Sequence, residues 1–432
     1  MEAVIEQEKL LSSYECSKLA NRNIILFLLG KLVSLFGSSI YSFAIGLYVL
    51  KTTGSGTSFA LTIVLATIPR AILGPVSGVL ADKLDKKKLV VILDMLSGII
   101  VLALVVASSI DGLRIGYIYA ATLLLNITNV FFDTTISASI PLLVDKERLT
   151  RINSFSGSIS NLAYIIGPAL GGFVFGVIDM KVFLILNGLS FIFSGISEMF
   201  LDFKVKEKIY GVEASSIDNA ESSFVNDLVD GFKYMFKTKW LLALAISATF
   251  INMFMTLGMN IPIPYIMKQY WTLTDLQYGI TMASFPFGVI IASLVVGIIP
   301  PAKKNYNRII GGMIVFAIVM ICFGLLTRFL PITMNNWGKV SVMVVLFITI
   351  ASGSAFMNIP LMVTIQSQTP SDMLGRVMGV LVTIASVMTP IGALLGGILI
   401  DRLPPWLLPL GCGLVLVLLT IIVSGNKDLQ KV

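Results

Sequence analysis

Residues 78–88 read GVLADKLDKKK, and this stretch lies between two long apolar runs. It contains two aspartates and four lysines, although only 13% of the chain's 432 residues are charged. The chain is 56% hydrophobic, and its apolar runs reach the ~20 residues that cross a ~30 Å hydrocarbon layer as a helix. These runs lack the polar face at period 3.6 that a soluble core helix would show. We therefore expect an all-α membrane protein, in which residues 78–88 connect two spans.

The apolar pattern predicts twelve transmembrane helices, which we number as spans 1–12. They cover residues 23–50, 57–81, 88–109, 115–140, 154–178, 182–201, 240–266, 276–300, 308–328, 339–362, 377–400 and 404–424. No cleavable signal peptide is evident, because the first apolar run is longer than the apolar region of such a signal. Span 1 is therefore expected to remain as an anchor.

The positions of lysine and arginine predict the orientation in the cell membrane. Of the 31 Lys and Arg residues, 22 lie on the side of the membrane that carries the loop 78–88. Loops rich in these residues stay in the cytoplasm, so both termini are expected to be cytoplasmic. The same bias accounts for the net charge of +7, and the expected partner is the lipid bilayer rather than nucleic acid.

The chain is predicted to divide into two six-helix halves. The predicted segments are a cytoplasmic N-terminal segment, a first half, a cytoplasmic linker, a second half and a cytoplasmic tail, at residues 1–22, 23–201, 202–239, 240–424 and 425–432. At an offset of 225 residues, Arg151 in loop 4–5 overlays Arg376 in loop 10–11. At the same offset, three glycines of span 5 overlay three of span 11, namely Gly167, Gly171 and Gly172 with Gly392, Gly396 and Gly397. Parallel halves with a site between them are typical of a transporter.

The end of the linker predicts an amphipathic helix. In FVNDLVDGFKYMFK, residues 224–237, the apolar side chains recur at helical spacing. Its apolar face is expected to lie on the membrane surface. A helix packed against the underside of the bundle explains the same pattern.

The loop 78–88 resembles a signature of the major facilitator superfamily, Gly-x-x-x-Asp-Arg/Lys-x-Gly-Arg/Lys-Arg/Lys between spans 2 and 3. Five residues match the pattern, namely Gly78, Asp82, Lys83, Lys86 and Lys87. Asp85 stands where the pattern has glycine, so the turn there is expected to form differently. The related stretch from Gly297, GIIPPAKKNYNR, keeps basic residues but has no aspartate.

Other stretches resemble the macrolide-efflux and enterobactin-exporter branch of that superfamily. They are SLFGSSIYSFAIGLYVL in span 1, IPRAILGPVSG in span 2, PLLVDKERLTRINS at 141–154 and TPSDMLGRVMGVL at 369–381. In span 5, YIIGPALGG with Pro168 resembles the core of the antiporter motif, without its upstream glycines. The resemblance implies the major facilitator fold, alternating access, and export of a small amphipathic compound such as a drug, macrolide or siderophore.

The resemblance also implies a role for the loop 78–88 in the cytoplasmic gate. In the superfamily, the aspartate at the position of Asp82 accepts hydrogen bonds from the N-terminus of span 11 in one state of the cycle. An anion is stabilised there by the helix dipole. The lysines of the loop are expected to bind acidic groups or lipid phosphates, or only to fix the topology. The glycines of spans 5 and 11 suit either static close packing or a surface on which the halves rock.

Charged residues inside spans are costly and are functional candidates by default. They are Lys31, Arg70, Asp94, Asp133 and Glu198. With no histidine in the chain, a coupling proton has to be carried by a carboxylate, and Asp133 in span 4 is the first candidate. The alternative is structural ion pairing of Lys31 with Asp94 and of Arg70 with Asp133. Glu198, near the cytoplasmic end of span 6, is expected to be wet.

Other classes of function find no support in the sequence. The three cysteines are scattered, without a metal spacing, and no phosphate-binding loop for ATP is present. Convergent nucleophile, base or metal ligands are missing as well, so an enzyme is not expected. We expect a monomeric secondary transporter without a cofactor, driven by a proton gradient. Uptake by the same fold, and a membrane receptor or assembly factor without transport, remain the alternatives.

Overall fold

The structure is a computed structural model that describes residues 2–203, 224–299, 305–329, 334–370, 373–426 and 430. Helices account for most of these ranges, and no strand occurs in them. The prediction of an all-α protein is therefore confirmed. Most of the predicted linker (204–223), most of the basic segment of loop 8–9 (300–304) and most of the tail (427–429 and 431–432) lie outside the described residues.

Six helices form the first predicted half. They are α1 (Glu2–Thr53), α2 (Gly56–Lys83), α3 (Lys86–Asp111), α4 (Ile115–Leu143), α5 (Lys146–Val177) and α6 (Met180–Met199). The N-terminal segment is continuous with span 1, because α1 begins at Glu2. The end of the linker forms the predicted helix α7 (Phe224–Lys237).

The second predicted half contains span 7 in several helical pieces and five further spans. Span 7 is α8 (Lys239–Met255) and α9 (Pro262–Tyr265), with a π-helical stretch after each. The others are α10 (Asp275–Ile298), α11 (Tyr306–Phe329), α12 (Asn336–Gln368), α13 (Leu374–Ser386) with α14 (Thr389–Arg402), and α15 (Leu407–Ser424). Of the described helical stretches, eleven are long and apolar enough to cross a membrane, and α5 is a bent twelfth.

Prolines explain the irregular spans. A proline ring removes the hydrogen bond to the carbonyl four residues earlier. The 43° bend of α5 falls four residues before Pro168. Span 11 is interrupted between α13 and α14, where Pro390 occupies the first turn of the new helix. In span 7, Pro262 and Pro264 lie between π-helical turns, in which the Ile261 amide bonds to the Thr256 carbonyl at 3.1 Å.

The chain folds into two compact units. Unit 1 comprises Met1–Tyr41, Ile72–Gly167 and Asp179–Phe224. Unit 2 comprises Ser42–Ala71, Pro168–Ile178 and Val225–Val432. Unit 2 thus combines the second predicted half with parts of α1, α2 and α5 from the first.

Small residues let the helices of unit 1 pack closely. α3 packs against both α4 and α6. Where α3 meets α6, a Cβ on Gly98 would lie 2.9 Å from the Gly188 carbonyl oxygen, and one on Gly188 would lie 3.3 Å from the Gly98 carbonyl oxygen. A side chain at either position would push the helices apart, which is the usual reason for glycine at membrane helix contacts.

Candidate functional site

The loop between α2 and α3 forms its turn without the glycine of the superfamily pattern. Asp85 has φ −60° and ψ 107°, and its carboxylate accepts a hydrogen bond from the Lys88 amide at 3.0 Å. Aspartate is a favoured N-cap residue for this reason. The departure from the pattern is therefore a helix cap for α3. The side chains of Asp82 and Lys83 lie outside the described residues, so their gating role stays a prediction.

Lys87 makes a contact that the sequence did not predict. Its ammonium donates a hydrogen bond to the carbonyl oxygen of Leu201 at 2.8 Å, just beyond the end of α6. A cation near the C-terminal carbonyls of a helix is favourable, because these groups carry partial negative charge. Lys87 thus joins the loop 78–88 to the end of α6, which goes beyond a role in topology.

Lys31 and Asp94, which the structural alternative would pair with each other, have different hydrogen-bond partners. Lys31 donates a hydrogen bond to the Ser156 hydroxyl on α5 at 2.5 Å. Asp94 accepts a hydrogen bond from the Ser34 hydroxyl at 2.7 Å. Lys31 and Ser34 lie about one turn apart on α1, and their side chains reach α5 and α3, respectively. The carboxylate that acts electrostatically on Lys31 is Asp133.

Glu198 is also placed differently from the prediction. Its side chain is only 2% exposed, although it lies one residue before the end of α6. α6 approaches α1 closely at Gly30, where a Cβ would lie 3.5 Å from Glu198 Oε1. This close approach keeps water from the carboxyl group. Glu198 Oε2 has no hydrogen-bond partner among the described residues.

Three carboxyl groups and one ammonium thus interact in unit 1, where Asp94 and Glu198 are buried and Asp133 and Lys31 are half-buried. Asp94 is 2% exposed, and it interacts electrostatically with both Glu198 and Asp133. We call Asp94, Asp133, Glu198 and Lys31 the carboxyl cluster. Within the ranges that the structure describes, neither Asp94 nor Glu198 forms an ion pair with a basic side chain. Arg70 belongs to unit 2, and its pairing with Asp133 stays a prediction.

The arginines of the repeat-related loops differ in their surroundings. Arg151 lies over the Phe155 ring, with 6.0 Å from its guanidinium carbon to the ring centroid. Arg376 lies 3.8 Å from the carboxylate of Asp230 on α7.

The described part of α7 also buries Met235 against α8 and α13. Next to the Asp230 pair, a Cβ on Gly231 would lie 3.0 Å from the Arg376 carbonyl oxygen. The amphipathic helix therefore packs on the bundle, as the second interpretation of its pattern expected.

The glycines of spans 5 and 11 fall into two groups by their contacts. The first group packs inside one predicted half. Gly167 of α5 faces Ser39 of α1, and Gly392 of α14 faces the Met253 carbonyl of α8, which is 2.6 Å from a Cβ added there. Gly396 likewise packs against span 7, at Leu257 and Ile261.

The second group joins the two predicted halves within unit 2. A Cβ on Gly172 of α5 would lie 3.5 Å from the Cα of Gly279 on α10, and one on Gly397 of α14 would lie 2.5 Å from the Cβ of Ala60 on α2. Gly172 and Gly397 are equivalent in the predicted repeat. Equivalent glycines therefore make equivalent contacts, between span 5 and span 8 and between span 11 and span 2.

Charged side chains also lie in unit 2 near the point where α5 meets α10. Asp275, the first residue of α10, pairs with Lys268, and it lies 3.3 Å from the Lys51 ammonium near the end of α1. A Cβ on Gly176 of α5 would lie 2.9 Å from the Asp275 Cβ. By the predicted topology, this is the end of the helices that faces outside the cell.

The family follows from comparison with known sequences. Residues 27–393 match the profile of the Major Facilitator Superfamily. The chain belongs to the Major Facilitator Superfamily. It is a multi-pass membrane transporter and not an enzyme. No group of three potential metal ligands was found among the described residues.

Similar proteins include two efflux proteins. The chain is 25% identical to macrolide efflux protein A of Streptococcus pyogenes over 374 residues, which is 87% of this chain and 88% of that protein. It is 21% identical to the multidrug efflux pump Tap of Mycolicibacterium fortuitum, over 88% of this chain and 89% of that protein. The predicted resemblance to macrolide-efflux proteins is thereby confirmed.

Solved structures support the fold. A bacterial homologue of the iron transporter ferroportin in an inward-facing state superimposes with a TM-score of 0.67 at 16% identity. The match covers 94% of this chain and 99% of that chain. At this identity the likeness supports the fold alone.

Reasoning from the sequence misses or misjudges three carboxylates. Glu198 is expected to be wet because it lies at a helix end, whereas Asp275 and Asp401 are not among the predicted site residues. The sequence does contain a signal for Asp275 and Asp401, because each lies one helical turn from a glycine at which the predicted halves meet, Gly279 and Gly397. Distance along the chain hides these contacts until the helices are packed.

Proposed function

We propose that this transporter exports a small amphipathic compound of the macrolide class in exchange for protons. The named efflux relatives support the substrate class and the direction. The observation that carries proton coupling is the buried pair of Asp94 and Glu198, which lies in the membrane-spanning part of unit 1.

The pair has the properties that a proton site requires. A buried carboxylate without a cation is costly, and two such charges beside each other are more costly still. Asp94 is hydrogen-bonded to the hydroxyl groups of Ser34 and Ser194, and Glu198 has an oxygen without any partner in the described residues. At least one of the two carboxyls is therefore expected to hold a proton, which a change of conformation can release to water.

The other members of the carboxyl cluster set the charge around this pair. Asp133 on α4 interacts with Asp94 on α3 and with Lys31 on α1. A movement of Lys31 toward or away from the carboxyls would change how many protons the cluster retains. Asp133 therefore stays a candidate carrier, as the sequence indicated, and Glu198 joins it.

The test uses proteoliposomes with an imposed pH gradient and radiolabelled erythromycin as the probe. Asp94→Asn and Glu198→Gln are expected to abolish accumulation driven by the gradient while erythromycin exchange continues. Glu147→Gln, at an exposed carboxylate in the first turn of α5, is the matched control and should behave like the unchanged protein. Accumulation with normal pH dependence in both cluster variants would place the proton elsewhere. Binding without flux in the unchanged protein would favour a receptor.

The orientation is tested with single cysteines in a cysteine-free background. We propose that both termini and the loop 78–88 are cytoplasmic. A cysteine in place of Lys86 should then resist an impermeant thiol reagent in whole cells, whereas one in place of Lys181 should react. Labelling at position 86 from outside would reverse the topology.

A further inference from the structure

Asp401 caps a helix that is distant in sequence. It is the penultimate residue of α14, and its carboxylate lies at the N-terminus of α2. Its Oδ1 accepts a hydrogen bond from the Gly56 amide at 2.6 Å, and its Oδ2 accepts one from the Thr57 amide at 2.9 Å. The first amides of a helix lack partners within the helix and carry partial positive charge. A carboxylate there satisfies both requirements, although it comes from a residue 345 positions away.

Two hydroxyl groups complete the cap. Ser55 and Thr57 each donate a side-chain hydrogen bond to Asp401 Oδ2 at 2.7 Å. The Asp401 carboxylate thus receives four hydrogen bonds from three consecutive residues, all at the start of α2. Hydrogen bonds to a charged group are stronger than those between neutral groups.

α14 and α2 each have a glycine where the two helices meet. A Cβ on Gly397 would lie 2.7 Å from the Gly56 carbonyl oxygen, and one on Gly56 would collide with Ile400. The Thr57 hydroxyl also lies 3.2 Å from the Gly397 carbonyl oxygen. The absence of both side chains lets the last turns of α14 reach the backbone of α2.

We propose that Asp401 is a gating residue of the transport cycle. Its hydrogen bonds stabilise the conformation in which spans 2 and 11 touch at their outer ends. α2 belongs to the first predicted half and α14 to the second, and transporters of this superfamily alternate access by moving one half against the other. The cap therefore has to break when the outer ends separate.

The surroundings of Asp401 suit a contact that breaks and forms again. The residue is exposed at the end of α14, so water can replace the donors of α2 when the helices part. A carboxylate that stayed buried without these donors would be left as an uncompensated charge, at a far higher cost.

The experiment measures the separation of the outer ends without substrate or pH gradient. Spin labels replace Val177 at the end of α5 and Trp337 at the start of α12, which are 63% and 51% exposed. The full chain, free of native cysteines, is reconstituted in nanodiscs, and distances are measured by double electron–electron resonance. Asp401→Ala is expected to increase the population with separated ends by about tenfold or more.

Asp111→Asn is the matched control. Asp111 is also an exposed aspartate expected at the outer ends of the helices, but its partners Arg114 and Tyr117 are local in sequence. This variant should leave the distance distribution unchanged. An unchanged distribution in a folded Asp401→Ala protein would overturn the proposal.

A second variant covers the case in which Asp401→Ala fails to insert. Thr57→Val removes one hydroxyl donor and keeps the backbone amide and the volume. A shift of several-fold in the same direction is expected, and no shift would overturn the proposal. Because the readout needs neither erythromycin nor protons, its outcome is independent of the proposed export.

Discussion

The glycines of span 11 serve either static close packing or a surface on which the halves rock. Gly397 and Gly392 lie five residues apart on α14 and allow these two interpretations to be distinguished. Gly397 faces α2 of the first predicted half, and Gly392 faces α8 of its own half. A Cβ at Gly397 would lie 2.7 Å from a backbone carbonyl oxygen, and one at Gly392 would lie 2.6 Å from another. Alanine therefore clashes with a backbone carbonyl at both positions, and at Gly397 it also meets the Ala60 Cβ at 2.5 Å.

The magnitude follows from the geometry. The Cβ of Gly397→Ala would be about 0.7 Å inside the 3.4 Å at which ordinary contact begins, and a carbonyl of a helix cannot turn aside as a flexible side chain can. Overpacking of this kind costs roughly 1–3 kcal/mol. The higher helix propensity of alanine is the same in both states of the cycle, because α14 stays helical, so it does not offset this cost. A cost of roughly 1–3 kcal/mol corresponds to about 5-fold to 150-fold in the equilibrium constant between the two states.

The two variants differ in which state bears that cost. The contact of Gly397 exists only while the outer ends of spans 2 and 11 touch, so Gly397→Ala should favour their separation by about 5-fold to 150-fold. Gly392→Ala should strain every state of the second half. It should therefore lower the thermal stability and leave the distance distribution unchanged.

The spin labels at positions 177 and 337 report the separation, and thermal unfolding in detergent reports the stability. Gly379→Ala on α13 is the control, because nothing lies within 4 Å of a Cβ at that position. If Gly397→Ala only lowers the melting temperature, as Gly392→Ala should, both glycines serve static packing and the rocking interpretation is refuted.

Two further predictions concern the loop 78–88 and the carboxyl cluster. Asp82→Asn is expected to leave insertion intact and to reduce erythromycin transport severely, while Lys88→Gln has a much smaller effect; equal transport in both variants would limit the loop to a role in topology. Ser34→Ala is expected to lower stability by roughly 1–3 kcal/mol, because the Asp94 carboxyl loses the hydrogen bond from the Ser34 hydroxyl. In a double-mutant cycle with Asp94→Asn, the double variant should lose less stability than the sum of the two single variants, by more than about 0.5 kcal/mol. Strict additivity in thermal unfolding would contradict the hydrogen bond between Ser34 and Asp94.

The membrane class, the twelve spans and the family could be predicted from the sequence. These properties depend on local information. A run of about twenty apolar residues has to cross the bilayer as a helix whatever its neighbours are. The loop 78–88 is a contiguous motif, and the twelve predicted spans correspond to the observed helices. The prolines that bend α5 and interrupt span 11 act on carbonyls four residues away, so their effect is local as well.

The partners of the charged and small residues were decided only by the tertiary structure. Lys31 and Asp94 are both charged residues inside spans, yet the rotation of α1 directs Lys31 to Ser156 and Ser34 to Asp94. Glu198 is shielded from water because α6 packs closely against α1 at Gly30, and these residues are far apart in the chain. Asp401 reaches Gly56 across 345 positions. Depth follows from counting residues along a helix, whereas pairing depends on the rotation and close approach of helices that the local sequence leaves open.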